Sequence, residues 1–170
     1  DDLAHPAFAK LFIETEYDPQ SAGLLFSRRP RSADETPALA FHVLAIDGRL
    51  GGAVEWETDR ARFLGRGRSA ANPAAMEGRS LSGTTGAVLD PVAAVRERVR
   101  LAPGAFVRLS FATGVAQDRN AALALVRKYR DASAAARAIS MASTHVRITL
   151  QHLGLTDDHA MLFDRLGSRV

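Results

Sequence analysis

The hydrophobic period of the chain changes near Thr113, and this change limits the possible folds more than any other feature. Before that residue, apolar and polar side chains tend to alternate, which is the period of β-strands with one buried face. After it, apolar residues recur every three or four positions, as they do along a helix that buries one stripe. A strand-rich half followed by a helical half predicts an α+β chain or a β-domain that leads into a helical one, and we favour the second.

Six strands are predicted before Thr113. The alternation Val54-Glu55-Trp56-Glu57 gives the fourth strand an apolar, buried face and a solvated carboxylate face. The fifth and sixth strands, at 95–101 and 107–111, flank Pro103-Gly104 and are predicted to form a hairpin. Three arginines alternate with apolar residues in the fifth strand and indicate a basic, solvated face. The first three strands are predicted at Leu11–Tyr17, Leu24–Ser27 and Leu39–Ile46.

Three helices are predicted after Thr113. Asp118 is the expected N-cap of the first, Asp131 of the second, and Thr156 begins the third. Gly154 is expected to end the second helix. Its predicted inner line consists of Ala135, Ile139, Ala142, Val146, Leu150 and Leu153. We therefore predict a β-sandwich domain over residues 1–116 and a helical linker over residues 117–170.

Composition excludes several classes of function. The 170 residues include no cysteine, which removes disulfides, thiolate catalysis and Cys-based zinc sites. No apolar run approaches the roughly 20 residues that cross a bilayer, so we expect this chain to be soluble. A net charge of +3 and an isoelectric point near 9.9 suggest nucleic-acid binding. The aromatic residues fall mostly at core positions rather than among the basic ones, so we give that hypothesis little weight.

A long segment between the fourth and fifth predicted strands, from Thr58 to about Gly86, is rich in glycine, serine and arginine. Loops of this length are usually functional or disordered. Guanidinium groups suit the hydroxyls or phosphates of a sugar ligand, so the segment is a candidate substrate-binding loop. The alternative, which we favour, is that the arginines fasten the loop through backbone carbonyls and Asp59 or Asp90. The candidate binding residues are Asp59, Arg60, Arg62, Arg66 and Arg68.

Three other patterns favour structure over chemistry. Glu55 and Glu57 lie roughly 7 Å apart on one strand face, a spacing that paired glycosidase carboxylates also use. A solvated face denies the burial that raises a carboxyl pKa, so we predict no catalytic residue there. The segment 65–70 fits a dinucleotide pattern, but Asn72-Pro73 prevents the helix that should follow. Residues 82–86 indicate a tight turn rather than an anion loop. No metal site or cofactor is predicted, since His145 and His152 are seven residues apart.

Several segments resemble, in order, the glycoside phosphorylase family of cellobiose and chitobiose phosphorylases (glycoside hydrolase family 94), and most closely its cyclic β-1,2-glucan synthases. The resemblance is specific in combination and covers nearly the whole chain. It is carried by His5-Pro6-Ala7-Phe8, Leu11 to Tyr17, Arg28 to Ser32, Glu57-Thr58-Asp59-Arg60, Arg62 to Arg68, Asn72-Pro73, Leu81-Ser82-Gly83 and Leu89-Asp90-Pro91.

The resemblance implies an antiparallel, supersandwich-like β-domain, then linker helices, then an (α/α) barrel that carries the general acid. Because this chain ends within the expected linker, no catalytic residue is carried over. The implied parent is a long polypeptide at the cytoplasmic face of the bacterial inner membrane that makes cyclic β-1,2-glucan. Implied partners are a β-glucan or oligosaccharide at a composite site and the parent's own barrel. A second copy of the chain is a further candidate partner.

The resemblance gives this chain a non-catalytic, carbohydrate-binding and scaffold role, with no activity expected of it alone. An autonomous carbohydrate-binding module is the alternative. A basic nucleic-acid-binding domain that uses the basic loop is the weaker alternative, and nucleic acid is not among the expected partners.

Overall fold

The computed structural model describes residues 10, 12–30, 32, 35 and 38–168. Parts of the segments that carry the family resemblance, among them residues 5–8, Leu11 and Arg31, lie outside the described residues. The strands are β1 (Ile13–Asp18), β2 (Gly23–Arg28), β3 (Leu39–Asp47), β4 (Arg49–Leu50), β5 (Glu55–Asp59), β6 (Gly86–Ala87), β7 (Pro91–Arg96), β8 (Val99–Arg100) and β9 (Arg108–Ala116). The helices are α1 (Arg60–Leu64), a 3-10 turn (Ala74–Met76), α2 (Arg119–Arg130), α3 (Ala132–His152) and α4 (Asp157–Gly167).

All strand pairs in the described residues are antiparallel. The largest sheet has the order β6-β1-β2-β3-β9, and two small sheets are formed by β4 with β8 and by β5 with β7. β2 and β3 contain the strands predicted at 24–27 and 39–46. The predicted mainly β fold with helices at the carboxy-terminal end is confirmed.

The predicted hairpin between 95–101 and 107–111 is wrong, although its turn forms. The Ala105 N–H donates to the Ala102 carbonyl at 3.0 Å, and Gly104 has the positive φ of 75° that such a turn requires. The flanking strands pair elsewhere: β7 with β5, β8 with β4, and β9 with β3. β9 matches all nine residues of β3 in continuous register, a longer ladder than the predicted hairpin offers.

The main core lies between α2 and one face of β2 and β3. Asp118 caps α2 as predicted, since its side chain accepts a 2.8 Å hydrogen bond from the Ala121 N–H. The buried cluster consists of Leu25, Phe41, Val43, Ala122, Leu123 and Val126. A side chain at Gly23 would meet Val126 at 2.4 Å, so this close approach requires glycine. The first compact unit extends to Ala132 and includes α2, which packs on the sheet, and the predicted division after residue 116 stays a prediction.

The second compact unit, from Ser133, contains most of α3 and all of α4. Thr156 caps α4 as predicted, and Gly154 ends α3 with a φ of 65° while the Leu155 N–H donates to the Leu150 carbonyl. The predicted inner line of α3 is wrong from Ile139 onward, because Ile139, Val146 and Leu153 are exposed. Met141 and Ile148, which helical spacing places on the opposite side, are also exposed. α3 therefore exposes an apolar line and, on its other side, two further apolar side chains.

Among the described residues, no helix has both the length and the apolar composition needed to cross a membrane.

Candidate functional site

The candidate site is the segment 59–86, which we call the arginine loop. It leaves the end of β5 through α1, whose N-cap is Asp59. The Asp59 carboxylate accepts hydrogen bonds from the N–H groups of Ala61 at 2.9 Å and Arg62 at 3.4 Å. At Gly65, which ends α1 with a φ of 81°, a Cβ would lie 2.7 Å from the Ala74 side chain. The chain therefore turns back closely on itself at a position that only glycine fits.

Glu57 holds the beginning of the arginine loop to its end. Only 2% of this residue is exposed. One carboxylate oxygen accepts from the N–H groups of Thr58 and Asp59, each at 3.0 Å, and the other accepts from the Ser82 hydroxyl. The predicted solvated face of β5 is thus wrong here, because the returning loop covers it.

The pKa of Glu57 reflects two opposed effects. Burial raises it, but the hydrogen bonds from Ser82, Thr84 and the backbone N–H groups of Asp59 and Thr58 together outweigh burial. The net pKa lies below the ordinary value of a glutamate. Glu57 is therefore an ionised hydrogen-bond acceptor at neutral pH and not a proton donor.

A pair of threonine hydroxyls extends this anchor to β1. Thr58 is fully buried, and its hydroxyl donates to the Thr84 carbonyl at 2.7 Å. The Thr15 hydroxyl lies 2.7 Å from that of Thr58 and 3.1 Å from the Gly86 carbonyl. The last residues of the arginine loop are consequently bound to both β5 and β1.

Glu55 and Arg96, which face each other across β5 and β7, form the second anchor. Arg96 donates to the Glu55 carboxylate and to the backbone carbonyls of Ala75, at 2.7 Å, and Arg79. Glu55 also accepts from Arg98 at 2.8 Å and from the Leu81 N–H at 2.9 Å. Its pKa is lowered, mainly by the Arg96 hydrogen bond. The predicted basic, solvated face is wrong for Arg96, whose side chain is only 22% exposed.

Among the predicted binding residues, Arg60 attaches the arginine loop to Asp90. Its guanidinium pairs with Asp90 at 3.1 Å, and its backbone N–H donates to the Asp90 carbonyl at 2.9 Å. Lys10 holds the other oxygen of Asp90 at 2.7 Å. These two cations lower the pKa of Asp90, with the Lys10 hydrogen bond as the largest cause. This pairing is the one that the fastening interpretation predicts.

The remaining arginines of the set extend toward solvent to different degrees. Arg68 forms an ion pair with Glu77, and Arg62 lies 3.6 Å from its neighbour Asp59 while staying largely exposed. Arg66 is exposed and has no ion pair within the described part of the chain. The structure thus separates the predicted set into anchored and exposed members. Ligand contact by any of them stays a prediction.

A cleft of about 210 Å³ opens beside Glu57. Its lining combines apolar side chains with two exposed guanidinium groups, those of Arg62 and Arg79. Pockets that bind small molecules usually enclose about 300–1,000 Å³. The cleft is therefore too small to hold an oligosaccharide by itself, but it has the composition of one wall of a larger site. Its apolar lining residues are Phe63, Ala74, Ala75 and Leu81.

A larger cavity, of about 390 Å³, lies between β7 and the face of β3 and β9 that is opposite α2. Its lining is mostly aliphatic and aromatic, and burial lowers the pKa of His42 at its edge. Burial also raises the pKa of Glu97, against the opposing charge of Arg130. Glu97 is the one carboxylate among the described lining residues, and hydrolysis of a glycosidic bond generally needs two. This cavity therefore has no complete catalytic pair.

Sequence reasoning missed Glu55, Glu57 and Arg96 as the residues that hold the arginine loop. The available signal was the opposite charge of two glutamates and several arginines on separate predicted strands. It was not decisive, because alternation shows which residues share a face but not which strand lies beside it.

Comparison with known proteins identifies the family of the chain. A family described as "Glycosyl hydrolase 94, supersandwich domain" matches residues 1–132, which include the nine described strands and α2. The chain is also 34% identical over 167 residues to cyclic beta-(1,2)-glucan synthase NdvB of Rhizobium meliloti (strain 1021). The match includes 98% of this chain but only 6% of that relative's length. The resemblance seen in the sequence is confirmed, and the chain belongs to the glycosyl hydrolase 94 supersandwich domain family.

Proposed function

We propose that this chain is a non-catalytic scaffold and carbohydrate-binding segment of a cyclic β-1,2-glucan synthase. In this proposal the arginine loop forms one wall of a substrate site, and the catalytic barrel of the same parent polypeptide forms the other. Glycan phosphorolysis or glucosyl transfer takes place in the barrel. The observation that carries the proposal is that Glu55 and Glu57 fix the base of the loop while Arg62 and Arg66 remain exposed.

The chemistry of the carboxylates supports a non-catalytic role. A general acid must hold a proton near neutral pH, which requires a raised pKa. Glu55 and Glu57 have lowered pKa values and are occupied by hydrogen bonds, so both are ionised. Glu97 has a raised pKa, but no second carboxylate lines its cavity among the described residues. Hydrolysis therefore has no carboxylate pair among the described lining residues, and the proposal places phosphorolysis or glucosyl transfer in the barrel.

The size of the cleft supports a composite site. Exposed guanidinium groups beside an apolar floor can donate to sugar hydroxyls while the sugar ring packs on that floor. The cleft at Arg62 and Arg79 encloses only about 210 Å³. The similar synthase is many times longer than this chain and offers ample sequence for an opposing wall. The proposal also places the parent at the cytoplasmic face of a bacterial inner membrane.

Calorimetry and a turnover assay on the purified chain test this proposal together. We expect no phosphorolysis or hydrolysis of β-1,2-glucans, and either no binding of β-1,2-linked oligosaccharides or a Kd in the millimolar range, since the contacts of the opposing wall are missing. Measurable turnover by the chain would refute the non-catalytic role. Micromolar binding that disappears in Arg62→Ala/Arg66→Ala would instead establish an autonomous carbohydrate-binding module.

The wall function itself is tested in a polypeptide that also contains the barrel. There, Arg62→Ala/Arg66→Ala should raise KM for glucan several-fold with a smaller change in kcat, because the loop contributes to binding rather than to chemistry. The matched control is Arg108→Ala/Arg127→Ala, which removes two exposed arginines away from the loop. Equal kinetics for the two double variants would contradict the proposal.

A further inference from the structure

The segment 101–107 between β8 and β9, which we call the apolar turn, exposes large apolar side chains to solvent. Leu101 is 60% exposed and Phe106 is 78% exposed. Every residue from 101 to 106 is exposed, and a Cβ built at Gly104 would meet no atom within 4 Å. The apolar turn is therefore a convex projection of the first compact unit and not part of a groove.

Both ends of the apolar turn are attached to neighbouring strands. On one side β8 pairs with β4, and the Gly51 N–H donates to the Arg98 carbonyl at 2.6 Å. On the other side β9 pairs with β3, and Val107 packs so closely on Gly48 that a Cβ there would lie 2.7 Å from it. A segment held at both ends has little conformational freedom to lose when it binds a surface.

Arginines flank the apolar turn. Residues 98–108 contain three arginines, Arg98, Arg100 and Arg108, but no aspartate or glutamate, so this short segment carries a charge of +3, equal to that of the whole chain. Arg98 pairs with Glu55 at 2.8 Å but is still 56% exposed, and Asp47 lies opposite Arg108 in the β3–β9 register. Arg100 is exposed and forms no ion pair in the described part of the chain. The segment therefore favours a negatively charged ligand.

A bilayer surface with anionic lipids fits this combination of shape, apolar side chains and charge. Small molecules bind mainly in concave sites, whereas the apolar turn is convex. At a bilayer surface, apolar side chains enter the boundary between head groups and acyl chains while arginines meet anionic head groups. An acidic protein surface would satisfy the arginines but would leave Leu101 and Phe106 facing charged groups.

We infer that the apolar turn binds the surface of a bilayer that contains anionic lipids. Leu101 and Phe106 enter the bilayer boundary, and Arg98 and Arg100 bind the head groups. The observations that carry this inference are the exposed apolar side chains on an attached turn and the arginines beside them. It is independent of the carbohydrate-binding proposal, since neither Leu101 nor Phe106 lines the cleft beside Glu57.

Co-sedimentation of the 170-residue chain with lipid vesicles tests the inference. We expect binding to vesicles that mix phosphatidylcholine with phosphatidylglycerol, and at least about tenfold weaker binding to phosphatidylcholine alone. Leu101→Ser/Phe106→Ser should weaken binding to the mixed vesicles by about tenfold. The matched control, Leu89→Ser/Val115→Ser, removes similarly exposed apolar side chains elsewhere and should leave binding unchanged. Circular dichroism confirms that each variant is folded.

A second pair of variants tests the charges. Arg98→Gln/Arg100→Gln should weaken binding to the mixed vesicles several-fold, and raising the salt concentration should weaken binding of the original chain. The matched control, Arg127→Gln/Arg147→Gln, removes the same charge at exposed positions outside the segment and should have a much smaller effect.

Tryptophan emission tests insertion directly. In Phe106→Trp, mixed vesicles should shift the emission to shorter wavelength, whereas Leu89→Trp should show no shift beyond the background of Trp56. The inference would be overturned by a chain that does not bind the mixed vesicles at millimolar lipid, or that binds neutral vesicles equally well. Binding that tolerates Leu101→Ser/Phe106→Ser would also overturn it. So would binding to polyglutamate without binding to vesicles, which would indicate an acidic protein partner instead.

Discussion

The two strands that hold the arginine loop, which we call its base (β5 and β7), and the exposed residues 66–71, which we call its tip, contain the same residue types in opposite states. At the base, Arg96 is largely buried and bound to Glu55 and two backbone carbonyls. At the tip, Arg66 is exposed and has no ion pair in the described part of the chain. The difference arises because a carboxylate on a paired strand faces Arg96, whereas no carboxylate among the described residues pairs with Arg66. Because the loop is anchored at its base, the arginine at its tip can stay exposed while the loop keeps its position.

The largest effect is expected at Glu57, which holds both ends of the loop. Glu57→Leu leaves the N–H groups of Thr58 and Asp59 without their acceptor. The free energy of unfolding should therefore fall by about 3 kcal/mol in total. Glu57→Gln keeps an oxygen for both N–H groups and should lose only about 1 kcal/mol. Urea denaturation measures both values. Similar losses in the two variants would show that the carboxamide oxygen cannot replace the anchor.

A smaller loss is expected at Arg96, and Arg98 is its matched control because both arginines bind Glu55. Arg96→Ala also frees the carbonyls of Ala75 and Arg79, so we expect a loss of about 2 kcal/mol. Arg98 is 56% exposed, and Arg98→Ala should lose no more than about 0.5 kcal/mol. If the two substitutions had equal effects in urea denaturation, the base of the loop would not be fastened as described.

Part of the pH dependence of stability should also originate at Glu55 and Glu57. The folded-state pKa values of Glu55 and Glu57 are lowered, so their contribution is present above the unfolded glutamate value of about 4.3 and is lost as pH falls through the folded values. The free energy of unfolding should therefore decrease below about pH 4.3. In Glu55→Gln/Glu57→Gln the slope of that decrease should be smaller. An unchanged slope would assign the acid sensitivity to other groups.

The smallest effects on the free energy of unfolding are expected at Asp59 and Arg66, which lie on either side of α1. Asp59→Ala removes the N-cap of α1 and should lose about 1 kcal/mol, whereas Asp59→Asn retains an acceptor and should lose less. Arg66→Ala should change stability by less than about 0.5 kcal/mol, since the side chain is exposed. Thermal unfolding compares the three variants directly. A marked loss in Arg66→Ala would show that the tip is structural.

Local sequence signals predicted the parts of this fold that depend on neighbouring residues. Asp118 and Thr156 cap the predicted helices, and Gly154 adopts the left-handed conformation expected of it. The strands β2 and β3 also lie where alternation and apolar runs place them. These signals need no knowledge of distant residues, because caps and turns satisfy backbone groups within a few positions.

The errors all concern partners that are distant in sequence. Glu57 was predicted to be solvated because its own strand does not reveal the returning segment that covers it. The strands flanking Pro103-Gly104 were predicted to pair because they are adjacent in sequence, yet β3 offers β9 a longer ladder. The predicted inner line of α3 has the right period, but period alone does not provide a surface to cover it.

Hydrogen exchange at individual amides most directly tests the claim that the base of the arginine loop is held by hydrogen bonds while its tip is exposed. The N–H groups of Thr58 and Asp59 bind Glu57, and that of Leu81 binds Glu55. These amides should exchange orders of magnitude more slowly than those of the exposed residues 69–71. Glu57→Leu should accelerate exchange at Thr58 and Asp59 while residues 69–71 stay unchanged. Rapid exchange at Thr58, Asp59 and Leu81 in the unmodified chain would contradict the account.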